Sequence, residues 1–281
     1  MYIFYKAADL RSHLELRVSS SAIGFIPTMG ALHEGHLALI RAAQADGCYT
    51  VCSIFVNPTQ FNDPSDLDKY PRTPEKDTEL LAKVGCDVIF MPEVEEIYPP
   101  GANPDFEIDF EGLDLVMEGF FRPGHFKGVA QVVKRLLDLV GPDKLYMGQK
   151  DFQQVVVVRH LIRVTGFPVE LIVVPTVREE DGLAMSSRNA RLSPGERRQG
   201  PVIYQTLLAA KSKAAKGIPP AEISREAMSA LSEAGFTPEY FDLVSVETLQ
   251  LVGTMADAEE VVACVAAWLE GVRLIDNMAM K

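Results

Sequence analysis

The chain is short of cysteine, of tryptophan and of positive charge, and each shortage narrows what it can be. Its four cysteines, Cys48, Cys52, Cys86 and Cys264, form no C-x-x-C pair in a sequence of 281 residues. That is no disulfide framework, and they read as reduced, mostly buried small hydrophobes. Lys and Arg number 27 against 39 Asp and Glu, a net charge of −12. The overall field therefore repels nucleic acid and anionic membranes, and neither is expected as a partner. A site for an anionic small molecule must supply its own donors and cations. No apolar run approaches the ~18 residues of a membrane span. The opening stretch MYIFYKAADLRSHLELR carries charges early and has no apolar signal core, so a cytoplasmic protein is expected. The single tryptophan, Trp268, lies in an apolar strand-like stretch and reads as a core side chain.

What remains is ordinary globular composition, 47% hydrophobic and 23% charged, with length for one large domain or two modest ones. Apolar runs at 21–27, 49–56, 87–91, 144–147 and 169–174 read as strands. Between them, helical patterns cover 35–45, 74–84, 129–140 and 152–164. The run Val155–Val158 taken alone suggests a strand, and the 155–164 stretch is left open between core and interface. Strand and helix in alternation predict a Rossmann-like α/β fold, a parallel sheet with helices on both faces and ligands beyond the strands' carboxyl ends. Beyond about residue 178 the texture changes to two Ala/Lys/Glu-rich helices (192–217, 220–234) and two strands (240–246, 260–268). This predicts a smaller α+β C-terminal domain. The boundary falls between 175 and 190, giving residues 1–176 and 177–281.

Six short strings carry the chemistry. PTMGALHEGH (27–36) runs from a strand end through a glycine turn to a helix start, where backbone N–H groups attract phosphate. Gly30 and Gly35 permit close backbone approach. His33 and His36, three apart, can face one side and hold charge on a transferring phosphate; the bland alternative is a turn cap. FVNPTQF (55–61) offers the amides of Asn57 and Gln60, suited to a hydroxy acid, or simply a capped proline turn. YPRTPEKD (70–77) brings Asp77, which can help bind Mg²⁺ or merely begin a solvated helix. RPGHFKGV (122–129) is a mobile segment over the acid site or only a turn. GQKDFQQ (148–154) places Lys150 to reach phosphate, Asp151 to accept from ribose, and Gln154 one helical turn on. DGLAMSSRN (181–189) sets two serines and an arginine to bracket phosphate oxygens, and read alone is an ordinary polar loop.

Taken together and in order, these strings resemble the pantothenate synthetase family of the nucleotidyltransferase superfamily, whose H-x-G-H motif HEGH matches. The resemblance returns at VAAWLEGVRLIDN (265–277) and so spans nearly the whole chain. Three positions depart from the family pattern: Thr59 stands where Met is usual, Lys76–Asp77 where an acidic pair is typical, and Gln149 where Glu is common. The resemblance implies an ATP-dependent ligase that joins pantoate to β-alanine through an acyl-adenylate, with Mg²⁺, as a homodimer. It implies ATP binding by Pro27, Met29, Gly30, His33, Gly35, His36, Gly148, Lys150, Asp151, Val177, Met185, Ser186, Ser187 and Arg188. Among these His33, His36 and Lys150 would be catalytic. It implies a pantoate and β-alanine pocket of Met29, Asn57, Gln60, Val132, Val133 and Gln154, and Asp77 as a metal ligand. Three rivals remain: a nucleotidyltransferase acting on a phosphate acceptor, a non-catalytic nucleotide sensor, and a metallohydrolase using both histidines and a cysteine.

Overall fold

The computed structural model describes residues 1–16, 21–61, 67–101 and 106–281. Six strands form one parallel sheet: β1 (Tyr2–Phe4), β2 (Ile23–Thr28), β3 (Tyr49–Ile54), β4 (Val88–Phe90), β5 (Lys144–Gly148) and β6 (Glu170–Val174). Their order is β1-β4-β3-β2-β5-β6. The strands alternate between two cores, as a period of two requires of a sheet covered on both sides. Phe25, Val51, Val88, Phe90, Leu145 and Met147 face one core. Ile26, Cys52, Ile89 and Tyr146 face the other.

Helices α1 (Ala7–Leu16), α6 (His125–Val140) and α7 (Phe152–Thr165) pack into the first core; α2 (Glu34–Ala45) and α3 (Pro74–Val84) pack into the second. Short helices α4 (Val94–Ile97) and α5 (Met117–Phe121) lie between α3 and α6. Local signals set the ends of α3: Pro74 opens it, and Gly85, in the left-handed region at φ 80°, closes it. That is the usual asymmetry of proline at the start and glycine past the end. Val155–Val158 are all buried within α7. Core contact overrides the modest helix cost of β-branched residues there, which places Val155–Val158 in the core while Val164 is exposed.

The chain then forms α8 (Pro194–Gln199), α9 (Val202–Ala215), α10 (Pro220–Glu233) and an antiparallel sheet of β7 (Thr237–Ser245), β8 (Val261–Leu269) and β9 (Val272–Ala279). One face of this sheet, with Phe241, Val265 and Leu274, packs on α9 and α10. The other, with Tyr240, Val262, Cys264 and Ala266, joins the core that holds α7.

Several expectations need correction. Trp268 is not a core residue: it is 38% exposed, and its indole Nε1 donates to Glu239 Oε1 at 2.6 Å. Strands β1 and β9 and helix α1 are additions to the expected elements. The helix expected over 192–217 is broken at Gly200–Pro201 into α8 and α9. The segment 122–129, read as a mobile segment or a turn, is helical from His125 onward.

Candidate active site

The sheet order reverses direction between β2 and β5: the chain leaves β2 toward β3 and leaves β5 toward β6. The crevice at such a switch point is where an open α/β sheet takes its ligand. The turn after β2 and the turn after β5 both open into it.

The first turn is tightly held. Thr28 Oγ1 donates to Ser53 O at 2.7 Å and accepts from Gly30 N at 3.2 Å. Gly30 has φ 80°, and an added Cβ would lie 3.0 Å from Asp77 Oδ2 and 3.2 Å from Ile54 Cγ2. Gly30 therefore shapes the turn and does not line the cleft. The N–H groups of Ala31 and Leu32 donate to Asp77 Oδ2 and Oδ1 at 2.9 and 2.8 Å, and the Thr73 hydroxyl donates to Oδ1 at 3.1 Å. Asp77 is 1% exposed. Both its carboxylate oxygens hold the turn and the side chain is not on the cleft wall, so Asp77, expected as a metal ligand, is placed as a backbone clamp. Among the described residues, no three His, Cys, Asp or Glu side chains are grouped to hold a metal ion.

The turn delivers two histidines to the start of α2. His33 is the N-cap: its Nδ1 accepts from Gly35 N at 3.1 Å, while His36 Nδ1 accepts from His33 N at 3.3 Å. This reciprocal capping box satisfies two N–H groups at the helix start. It also fixes the tautomers, because an Nδ1 that accepts leaves the proton on Nε2. The rings lie 4.1 Å apart. Burial, then Lys150, pushes His33 down to about 4; burial, then His33 and Lys150, pushes His36 down to about 3. At neutral pH both are uncharged Nε2–H donors. The capping role and a ligand-facing role coexist in the same side chains.

Lys150 follows β5 in the turn Gln149–Asp151, its Nζ 3.8 Å from Asp151 Oδ1. Across the cleft, Met185 N donates to Val177 O at 3.0 Å, and Arg188 N donates to Ser186 Oγ at 3.2 Å. These bonds fold the 177–188 segment so that Val177, Met185, Ser186, Ser187 and Arg188 line the same cleft as His33, His36 and Lys150. Pro27, Met29, Gly35, Gly148 and Asp151 also line it.

The cleft, of about 220 Å³, continues into a more apolar end walled by Phe55, Val129, Val132, Val133 and Leu136, with Gln60 and Gln154 as its amides. Asn57 is not on the wall. It is fully buried, with Nδ2 donating to Gln60 Oε1 at 3.1 Å and to Gly128 O at 3.2 Å, and Oδ1 accepting from Tyr98 OH at 3.0 Å. The expectation of direct contact is corrected: Asn57 orients Gln60, turning that residue's Nε2 amide to the cleft. Gly128 lets α6 touch the same turn, since a Cβ there would lie 2.2 Å from Thr59 O.

Among the lining residues given no role from sequence, Tyr70, Arg122 and His125 bring ionisable side chains to the cleft. The strings that contain them were legible, but their partners were not. His125 Nδ1 donates to Gln60 O at 2.9 Å, so Nε2 is free to accept from Arg122 Nη1 at 3.2 Å. Burial, then Arg122, pushes His125 down to about 4. Burial pushes the Tyr70 phenol up, against the opposing influence of the Ser187 hydroxyl and Arg188.

A doubly wound parallel sheet with a cation-lined and amide-lined cleft at its switch point defines an α/β nucleotide-binding enzyme. Residues 2–279 match the family model described as pantoate-beta-alanine ligase. Among curated relatives, the pantothenate synthetase of Phocaeicola vulgatus is 48% identical over 277 residues, covering 97% of each chain. That of Cytophaga hutchinsonii is 44% identical, covering 97% of this chain and 96% of the relative. Among solved structures, pantothenate synthetase from Thermus thermophilus superposes with a TM-score of 0.92 at 43% identity, covering 100% of this chain and 99% of that one. The Francisella tularensis pantoate-beta-alanine ligase, crystallised with beta-gamma ATP and beta-alanine, gives 0.84 at 33% identity over 100% and 98%. This chain belongs to the pantoate-beta-alanine ligase family.

Proposed function

We propose that this protein condenses pantoate with β-alanine to pantothenate in two steps within the one cleft. A pantoate carboxylate oxygen attacks the α-phosphorus of ATP; the new O–P bond forms as the bond to the β-phosphate bridging oxygen breaks, and pyrophosphate leaves. The β-alanine amine then attacks the acyl carbon of the pantoyl-adenylate. The C–N bond forms, the C–O bond to AMP breaks, and the amine sheds its proton. The carrying observation is that one continuous cleft has a cationic end with imidazole N–H donors and an apolar end with amides.

A carboxylate is a poor acyl donor and adenylation supplies a good leaving group, so the protein's work is alignment and charge stabilisation. His33 and His36 donate hydrogen bonds from Nε2 to phosphate oxygens without carrying charge, with His36 the principal donor. Lys150 neutralises the β- and γ-phosphates, joined by Ser186, Ser187 and Arg188, while Asp151 accepts from the ribose. Pro27, Met29, Gly35, Gly148, Val177 and Met185 shape the remaining nucleotide contacts. Gln60 and Gln154 hold pantoate against Met29, Val132 and Val133. Mg²⁺, brought in with ATP, would offset triphosphate charge alongside Lys150 and Arg188. Residues 1–176 carry the sheet and the acid pocket, and residues 177–281 close over the phosphates, excluding water from a hydrolysable intermediate. The family reading extends to a homodimer working in the cytoplasm; among the described residues no helix is long and apolar enough to cross a membrane.

The test is AMP formation from ATP in the presence of both pantoate and β-alanine. Pyrophosphate release that requires pantoate, and AMP release that requires both, is expected. ATP consumption indifferent to pantoate, or ATP binding with no turnover, would overturn the reading in favour of a phosphate-acceptor transferase or a nucleotide sensor.

A further inference from the structure

Strand β9 breaks its alternation at Asp276 and Asn277, two consecutive polar residues that are both buried, at 4% and 3% exposure. Successive side chains of a strand point to opposite faces, so two polar residues buried in a row need partners in two directions. Asp276 finds Arg178, whose Nη1 and Nη2 donate to Oδ2 and Oδ1 at 2.6 and 3.0 Å. Asn277 turns the other way. Its Nδ2 donates to Gln149 O and to Lys150 O, each at 2.9 Å. Both hydrogens of the amide are thereby committed to the backbone of the turn that carries the lysine. The donor comes from 127 residues further along the chain.

That turn, Gln149–Asp151, links the end of β5 to the start of α7. The two contacts from β9 tie its carbonyls to the antiparallel sheet. Asp276 Oδ1 also accepts from Asn277 N at 2.8 Å. One pair of neighbouring residues therefore grips the lysine turn on one side and, through Arg178, the bridge between Arg178 and Ala184 that leads into Ser186–Arg188.

We propose that Asn277 is a positioning residue for Lys150: the C-terminal sheet sets the turn from which the lysine reaches phosphate, so that docking of the sheet and placement of the cation are a single event. This rests on the assignment of Lys150 to the β- and γ-phosphates. A small displacement of a group aimed at a reacting phosphate is costly, so loss of the amide lowers adenylation while leaving the β-alanine step untouched.

The experiment compares Asn277→Ala, Lys150→Ala and the double variant by pantoate-dependent pyrophosphate release, with urea unfolding of each. Asn277→Ala is expected to lower kcat/KM for ATP by about 10- to 100-fold, with KM for β-alanine unchanged. The double variant should fall no further than Lys150→Ala alone, because both changes remove one interaction. A crippled Lys150→Ala beside a wild-type-like Asn277→Ala, or losses that multiply in the double variant, would overturn the positioning role alone. Near-normal turnover of Lys150→Ala would overturn the lysine assignment itself, and the role of Asn277 with it. If Asn277→Ala does not fold, the near-isosteric Asn277→Asp, which lacks the N–H donors, replaces it. Failure of both to fold would make Asn277 a residue of the fold and overturn the proposal.

Discussion

Glu118 on α5 and Arg273 on β9 meet in a two-pronged ion pair: Arg273 Nη1 donates to Oε2 at 2.9 Å and Nη2 to Oε1 at 2.6 Å. Tyr240 OH donates to Oε1 at 2.8 Å, and Glu239 takes the remaining edge of the guanidinium through Nε at 2.8 Å. The pair joins residues 155 apart, tying the antiparallel sheet to the helix that precedes the acid pocket. Removing one partner of a buried pair leaves the other uncompensated, at a cost of about 3–5 kcal/mol. Because Glu239 still faces Arg273, Glu118→Ala should fall at the lower end of that range. Urea unfolding checks it, and an unchanged midpoint would show that the pair contributes nothing net.

The same carboxylate has a pH signature. Burial opposes its ionisation, but the Arg273 hydrogen bonds and charge prevail and hold Glu118 down to about 2 against an ordinary 4.5. The unfolded chain binds this proton first as pH falls, so its stabilisation is complete above about 4.5 and disappears as pH drops through 2. The histidines act at higher pH. His33, His36 and His125 titrate in the fold near 4, 3 and 4 against 6.5. Below 6.5 the unfolded state takes up protons that the fold refuses, so stability declines from pH 6.5 toward 4. Each such histidine contributes up to about 1.4 kcal/mol per pH unit. His125→Asn should make the dependence between pH 6.5 and 5 shallower by up to one proton. Urea melts across that interval giving the same slope for both proteins would contradict the burial of a neutral His125.

How far the sequence was legible follows from where each signal resides. The strand runs 49–56 and 169–174 were readable because successive residues such as Val51 and Cys52, or Leu171 and Ile172, pack on opposite covered faces of the sheet, which favours mostly apolar runs. Helix α3 was readable to its last residue because proline and glycine bracket it. Strand β1 was not, being three residues long at the sheet edge with Tyr2 56% exposed. Strand β9 hid because Arg273, Asp276 and Asn277 interrupt its apolar residues, and the partners that justify them lie at Glu118, Arg178 and Lys150. The same limit governed the site. His33, His36 and Lys150 stand in contiguous strings at strand ends, where position alone points to a ligand, and Ser186–Arg188 stands in a polar loop beyond β6. Asp77 and Asn57 stand in equally suggestive strings, yet their polar atoms are consumed by Ala31, Leu32, Gln60 and Gly128. Residue type and spacing carry no information about that choice.

Asp77 accordingly yields a prediction that separates a clamp from a metal ligand. Replacing it with Ala frees the Ala31 and Leu32 N–H groups and loosens the turn that presents the His33 cap. Turnover should fall by roughly tenfold or more, as a misplaced phosphate donor implies. The Mg²⁺ concentration that gives half-maximal rate should stay the same, because the carboxylate does not reach the cleft. Titrating Mg²⁺ in wild type and Asp77→Ala decides the matter: a large rise in the metal requirement would return Asp77 to the metal.

Gly128 tests the acid pocket through its backbone. A Cβ at this position would sit 2.2 Å from Thr59 O, 2.6 Å from Thr59 C and 2.9 Å from Gln60 N. All three are main-chain atoms, so no side-chain rotation relieves the contact, and α6 must move away from the 58–60 turn. That motion separates Gln60 from Val132 and Val133, which lie about one helical turn beyond Gly128 on α6 and share the cleft with the amide. It also breaks the Asn57–Gly128 bond that orients Gln60. Gly128→Ala should therefore raise KM for pantoate by about tenfold or more, the equivalent of losing one well-made contact of roughly 1.4 kcal/mol. ATP affinity should change little, because His33, His36 and Lys150 sit on other elements. Steady-state kinetics with each substrate varied in turn provide the measurement. A folded Gly128→Ala protein with normal pantoate KM would mean that the amide-lined end of the cleft is not where the acid binds.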